Sequence, residues 1–144
     1  MRQLIIVLLC CWTFGTNATE IVREQGFEVQ VQPFPSTFLM QDVASTYGFE
    51  RSRRQVLINL VVLKIQPDGQ ARGAVAAAVT GFSKNLLGQT QTLTFREIDE
   101  GDDAIYYLAP VRVSSEEEIQ IVLEVTPVNS GAIDVNFKHR VYVD

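Results

Sequence analysis

Apolar side chains return at every second position through most of this chain, and that period of two, punctuated by proline and glycine turns, points to β-strands almost throughout. Phe27, Val29 and Val31 alternate with Glu28, Gln30 and Gln32, which predicts a strand over Val22–Gln32 that Pro33 and Pro35 bring to a stop. Gln55–Gln66 is apolar toward both sides, with Asn59 the polar residue in its middle, the pattern of a central strand. Pro67-Asp68-Gly69 supplies the dihedrals of a turn, so Ala71–Gly81 is expected to return as a hairpin partner. Thr90–Glu97, Ile105–Val113 interrupted or bent at Pro110, Ile119–Val125 and Ile133–Val143 complete seven predicted strands.

A single helix is expected, over Gln41–Tyr47. Asp42 lies in its first turn, Val43 and Tyr47 share a face, and Gly48 stands where a C-terminal cap belongs. Two turns are too short to persist alone, so the piece is read as a connector pinned by Phe38, Leu39 and Phe49. The predicted fold is all-β: a seven-stranded antiparallel immunoglobulin- or fibronectin-like sandwich with one short connector helix, a barrel being the alternative.

The N-terminus follows another rule. Arg2, the apolar run Leu4–Phe14, and the small and polar residues from Gly15 to Thr19 have the layout of an export signal cut after Ala18. The run has eleven residues where a membrane span needs about 20, so no lasting anchor is expected. This divides the chain into a signal over 1–18 and one domain over 19–144, located in the periplasm. Cys10, Cys11 and Trp12 all fall in the signal, which leaves the domain without a disulfide or a thiol nucleophile.

Residues 19–144 carry eleven basic and seventeen acidic side chains, and this acidic balance argues against a general nucleic-acid binder. No zinc-ligand cluster, phosphate loop or other cofactor motif is present, so neither metal nor cofactor is expected. His139 is the one histidine, and no motif ties a serine or an acid to it. The Asp99–Asp103 turn is the best cation candidate, although it lacks the spacing of a calcium loop.

Arg51, Arg53 and Arg54 form the basic cluster. Alternation would put Arg51 and Arg53 on one side, able to grip a carboxylate or phosphate, with Phe34, Phe38, Tyr47 and Phe49 as a nearby aromatic wall. Leu86 and Leu87 are expected in a loop, folded as a flap over the end of the core or offered as a docking point.

Pro33-Phe34-Pro35-Ser36-Thr37-Phe38-Leu39, Val43-Ala44 with Tyr47-Gly48, Arg51-Ser52, Leu57-Ile58-Asn59, Asn85-Leu86-Leu87-Gly88-Gln89, Phe95-Arg96-Glu97 and Ile105-Tyr106-Tyr107, taken in order, resemble a family of short uncharacterised exported proteins of Gram-negative proteobacteria. The resemblance implies a signal peptide, a periplasmic location and a compact β-sandwich, with no catalytic residues to transfer. Such relatives more usually read Phe-Asn-Ser-Thr-Phe in the first block and have Pro before the acidic residue of the connector, where this chain has Pro35 and Gln41.

Two functions are therefore weighed. One is a noncatalytic module that binds an unknown periplasmic protein or small ligand through Phe34, Phe38, Tyr47, Phe49, Arg51, Arg53, Leu86 and Leu87. The other is an enzyme built on an arginine and carboxylate pocket from Arg51, Arg53, Asp102 and His139. The enzyme requires at least three of those four to converge.

Overall fold

A computed structural model describes residues 19–101, 104–114 and 116–141, so the predicted signal over 1–18, with both cysteines and Trp12, lies outside the described residues. Ten strands appear rather than seven: β1 (Glu20–Glu24), β2 (Phe27–Pro35), β3 (Gln55–Ile65), β4 (Ala71–Ala74), β5 (Ala77–Asn85), β6 (Thr90–Leu93), β7 (Arg96–Asp99), β8 (Ile105–Arg112), β9 (Glu118–Pro127) and β10 (Ile133–Arg140). They form two antiparallel sheets. The first has the order β1-β2-β3-β8-β7, with β4 sharing an edge of β3 beyond β8, and the second has the order β10-β9-β5-β6.

The three extra strands come from breaks inside predicted ones. Gln25 and Gly26, at φ 53° and 81°, turn the first segment into the β1–β2 hairpin, the left-handed pair that a two-residue loop demands. Ala71–Gly81 leaves the first sheet after Ala74 and enters the second at Ala77, and Thr90–Glu97 crosses back between Leu93 and Arg96. An unbroken apolar run, Ala74–Val79, spans the first crossing and alternation through Leu93, Thr94, Phe95 and Arg96 spans the second, which is why the pattern reads each as one strand.

β2 does not stop at Gln32 but runs through Pro33 to its last residue, Pro35, and β8 stays paired through Pro110. The Gly26 carbonyl accepts from Ile65 N–H, so even-numbered residues of β2 bond to β3 and odd ones face β1, whose first paired residue, Glu20, stands opposite Val31. Each proline thus aims its missing N–H past the end of the described β1. In β8, Val113 N–H bonds Arg54, so even residues face β7, and Pro110 lies beyond the last β7 pair at Leu108. Proline is tolerated where the neighbouring strand has ended.

Val29, Val31, Val56, Ile58, Leu60, Val62, Ala109 and Val111 of the first sheet meet Ile119, Ile121, Leu123, Val125, Ile133 and Val135 of the second in the main core. Tyr107 also lies in that core, and its hydroxyl accepts from Ala77 N–H at 2.9 Å, bonding β8 to the start of β5 where the chain has just changed sheets. Burial pushes this hydroxyl above its ordinary 10.0, the Ala77 N–H opposing the shift.

Leu57, Ile98 and Leu108 are also buried, but by register they point away from that core, on the outer face of the first sheet. The connector covers this face. Its helix α1 spans Gln41–Tyr47 as expected, buries Ala44, and ends at Gly48 with φ 74°, a left-handed cap that glycine adopts without strain. The twofold burial of β3 follows from the connector lying outside and the second sheet inside.

Candidate functional site

The connector leaves β2 at Pro35 and rejoins β3 at Gln55, so both its ends meet at one end of the sandwich. Buried Ser36 locks them: its hydroxyl donates to Ser52 O at 2.7 Å and accepts from Ser52 N–H at 2.9 Å. Arg51 Nη2 donates to Thr37 O at 2.9 Å, and Gln55 Nε2 to Glu50 O at 3.1 Å. Arg96 of β7 donates to Tyr47 O, setting a cation at the C-terminal end of α1 where the helix dipole favours one.

The second sheet reaches the same end through the β5–β6 hairpin, since Asn85 pairs with Ile119 while Gln55 pairs with Arg112 in the first sheet. Gln91 of β6 ties the two sheets together. Its Oε1 accepts from Arg112 N–H at 2.9 Å and its Nε2 donates to Arg112 O at 2.7 Å, a side chain standing in for a strand. Asn85 Oδ1 accepts from Leu87 and Gln89 N–H at 3.0 and 2.9 Å, which stiffens the hairpin tip.

Between these pieces opens a cleft of about 950 Å³. The connector contributes Glu50, Ser52, Arg53 and Arg54, the start of β3 Gln55, the β5–β6 hairpin Asn85, Gln89 and Gln91, the end of β8 Arg112, and the segment after it Val113 and Ser114. Glu117 closes the wall, with Oε2 accepting from Ser114 N–H at 2.8 Å. Among the described residues the guanidinium groups of Arg53, Arg54 and Arg112 make no hydrogen bond or ion pair, and all three residues are exposed. Three free forks with amide and hydroxyl donors around them can bind a carboxylate or phosphate oxygen bidentately.

The candidates from sequence separate here. Arg53 lines the cleft, whereas Arg51 is held on Thr37, because neither lies in a strand and alternation does not govern them. Phe34, Tyr47 and Phe49 are half-buried in or under the connector and do not line the cleft. Phe38, expected to pin the connector, is instead 70% exposed. Leu86 and Leu87 are 79% and 84% exposed at the hairpin tip and cover nothing of the core. Arg54, a member of the basic cluster but not one of the expected contacts, also lines the cleft, and so does Arg112, which no sequence signal marks. Arg112 lies far from the cluster in sequence, and only the pairing of Gln55 with Arg112 reveals it.

Of the enzyme's four groups the cleft takes only Arg53 among the described residues, and Asp102 lies outside them. His139 is half-buried on β10, and burial pushes its imidazole below the ordinary 6.5. The acidic turn is only partly described: Asp99 Oδ1 accepts from Gly101 N–H, while Asp102 and Asp103 fall outside. Among the described residues no three His, Cys, Asp or Glu side chains are grouped to hold a metal. Likewise, no helix among them is long and apolar enough to cross a membrane.

A family model described as a domain of unknown function, DUF4426, matches residues 22–144. The chain is similar to the crystal structure of a DUF4426 family protein from Pseudomonas aeruginosa PAO1, at 33% identity and a TM-score of 0.75, over 88% of this chain and 96% of that one. It is also similar in fold to FetP of uropathogenic Escherichia coli strain F11. A copper-bound Glu-to-Gln variant of FetP matches at 13% identity and a TM-score of 0.61, covering 88% of this chain and 95% of that one. FetP as isolated after recombinant expression in the E. coli periplasm matches at 12% and 0.57, covering 87% and 94%. No curated protein matches.

Proposed function

We propose that this chain, which belongs to the DUF4426 family, is a noncatalytic binding module of the periplasm whose working surface is the arginine cleft at one end of an immunoglobulin-like sandwich. One observation carries the reading: Arg53, Arg54 and Arg112 converge on a cleft of about 950 Å³ with their guanidinium groups unpaired among the described residues. An arginine that serves the fold is ordinarily bonded, as Arg23 is to Glu28 and Arg96 to Tyr47. The layout of Arg2, Leu4–Phe14 and Ala18 supports export, and the fold shared with FetP, a protein expressed in the periplasm, is in keeping with it.

The copper named for FetP is not carried over. This chain has one histidine, His139, which does not line the cleft, and a soft or borderline metal would want imidazole or sulfur ligands in a group. The test is a titration of ¹⁵N-labelled residues 19–144, which hold every described strand, with inorganic phosphate and with glutarate. Saturable shifts of the Arg53, Arg54 and Arg112 signals and of the neighbouring Ser52, Gln55 and Gln91 are expected, those of the three neighbours being lost in R53A/R54A/R112A. Shifts confined to other surfaces, or none, overturn the assignment.

A further inference from the structure

The cleft does not stand alone at its end of the sandwich. The Leu86–Leu87 tip rises from Asn85 and Gln89, both of which line the cleft, and Phe38 follows Thr37, the residue that Arg51 grips. Two of the large apolar side chains that the domain exposes, Leu86 and Leu87, therefore rise from the wall of the cleft that holds its free arginines, and a third, Phe38, lies on the connector. The hairpin tip is also ordered: Asn85 bonds Leu87 and Gln89 N–H through its Oδ1, and Gly88 N–H bonds Asn85 O at 3.0 Å. A stiff loop that holds two leucines in water, uncovered by any of the described residues, is the mark of a surface that meets something apolar.

We infer that this end of the domain docks on an anionic phospholipid bilayer, with Leu86 and Leu87 entering the acyl boundary and Arg53, Arg54 and Arg112 taking lipid phosphates. This rests on the cleft reading above and names its ligand. Charge complementarity selects the partner. Residues 19–144 have a net charge of minus six, so the domain as a whole is repelled by an anionic surface, yet this end is its less acidic one: Arg53, Arg54 and Arg112 line the cleft, Arg51 and Lys84 lie within two residues of lining ones, and against these five stand four carboxylates, Glu50 and the run Glu116–Glu118. Binding must then be oriented by this end. The acidic turn before β8 sits at the far end of that strand, about 23 Å away at the rise of an extended chain, or roughly three screening lengths at physiological salt, so it does not oppose the contact. Apolar tip and basic neighbours together meet the two-signal requirement for stable peripheral binding.

The experiment is co-sedimentation of residues 19–144 with phosphatidylcholine vesicles prepared with and without phosphatidylglycerol. Binding to the anionic vesicles alone is expected, weakening as salt rises. L86S/L87S should lose at least about tenfold in partition, from the apolar area withdrawn. Each of R53A, R54A and R112A should lose about fivefold. All five substituted positions are exposed, and circular dichroism of each variant verifies the fold. Equal binding to both vesicle types, or to neither, overturns the inference. If vesicles are ignored while inorganic phosphate still shifts the cleft signals, the membrane inference falls and the cleft survives. If phosphate also fails, both fall.

Discussion

Tyr107→Phe isolates one hydrogen bond at the point where the chain changes sheets. Tyr107 is only 4% exposed, and its hydroxyl is the partner of Ala77 N–H at 2.9 Å. The phenylalanine ring fills the same space, so no cavity forms and the loss is the stranded amide. A buried donor left without its acceptor costs about 1–3 kcal/mol, and a domain of this size loses roughly 3–4 °C in Tm for each kcal/mol. The expected result is a urea midpoint lowered at unchanged m-value and a melting temperature down by about 3–12 °C. Tyr107→Leu, which also empties ring volume from the core, should cost about 2–3 kcal/mol more. Hydrogen exchange locates the effect: the Ala77 amide should lose protection selectively in Tyr107→Phe. A variant as stable as the parent with Ala77 still protected would refute the claim that this bond secures the crossing.

Two further outcomes follow from the same coordinates. Gly81→Ala should lower stability by at least about 1–3 kcal/mol in urea unfolding, since a Cβ at position 81 would stand 2.3 Å from Val122 O and 2.6 Å from Leu123 Cδ2, one of them backbone that cannot yield. Glu28 is 7% exposed, and Gln30 Nε2 at 2.7 Å and Arg23 Nε at 2.8 Å together hold its carboxyl below the ordinary 4.5 despite desolvation. With the folded pKa the lower one, the stabilisation is full above 4.5 and is lost as pH falls through the folded value. Urea midpoints of the parent and Glu28→Gln should therefore differ at neutral pH and converge below 4.5, and a gap that widens in acid would contradict the assignment.

How much of this was legible in the sequence differs by element. Helix α1 could be read to the residue because its stop is local: Gly48 takes the left-handed conformation, and Phe49 N–H closes on Ala44 O. The inward phases of β9 and β10 were also local, and Ile119, Ile121, Leu123, Val125, Ile133 and Val135 are all buried. The Gln25-Gly26 turn escaped because glutamine rarely takes positive φ; here its side chain is held by Ser130, Gly131 and Ala132 from the β9–β10 turn. The two sheet crossings were invisible, since apolar patterning is indifferent to which sheet a strand joins. The cleft was half-visible. Arg53 and Arg54 are adjacent in sequence, but Arg112 joins them only through the antiparallel register of β3 and β8.

The arginines of the cleft and the groups that hold this end of the fold are different residues, and the difference is a matter of backbone against side chain. Gln91 clamps Arg112 by its N–H and C=O, Ser36 clamps Ser52, and Arg54 O receives Val113 N–H, so the main chain under each arginine is fixed without its guanidinium. Exposed cations that bond nothing contribute little to stability, and removing them should leave it within about 0.5 kcal/mol. Ordered backbone lowers the conformational entropy that a ligand would otherwise have to remove, while free forks retain their full bonding capacity for it. A site assembled this way can lose binding without losing the fold, and for that reason the arginine variants test function and the Tyr107 and Gly81 variants test architecture.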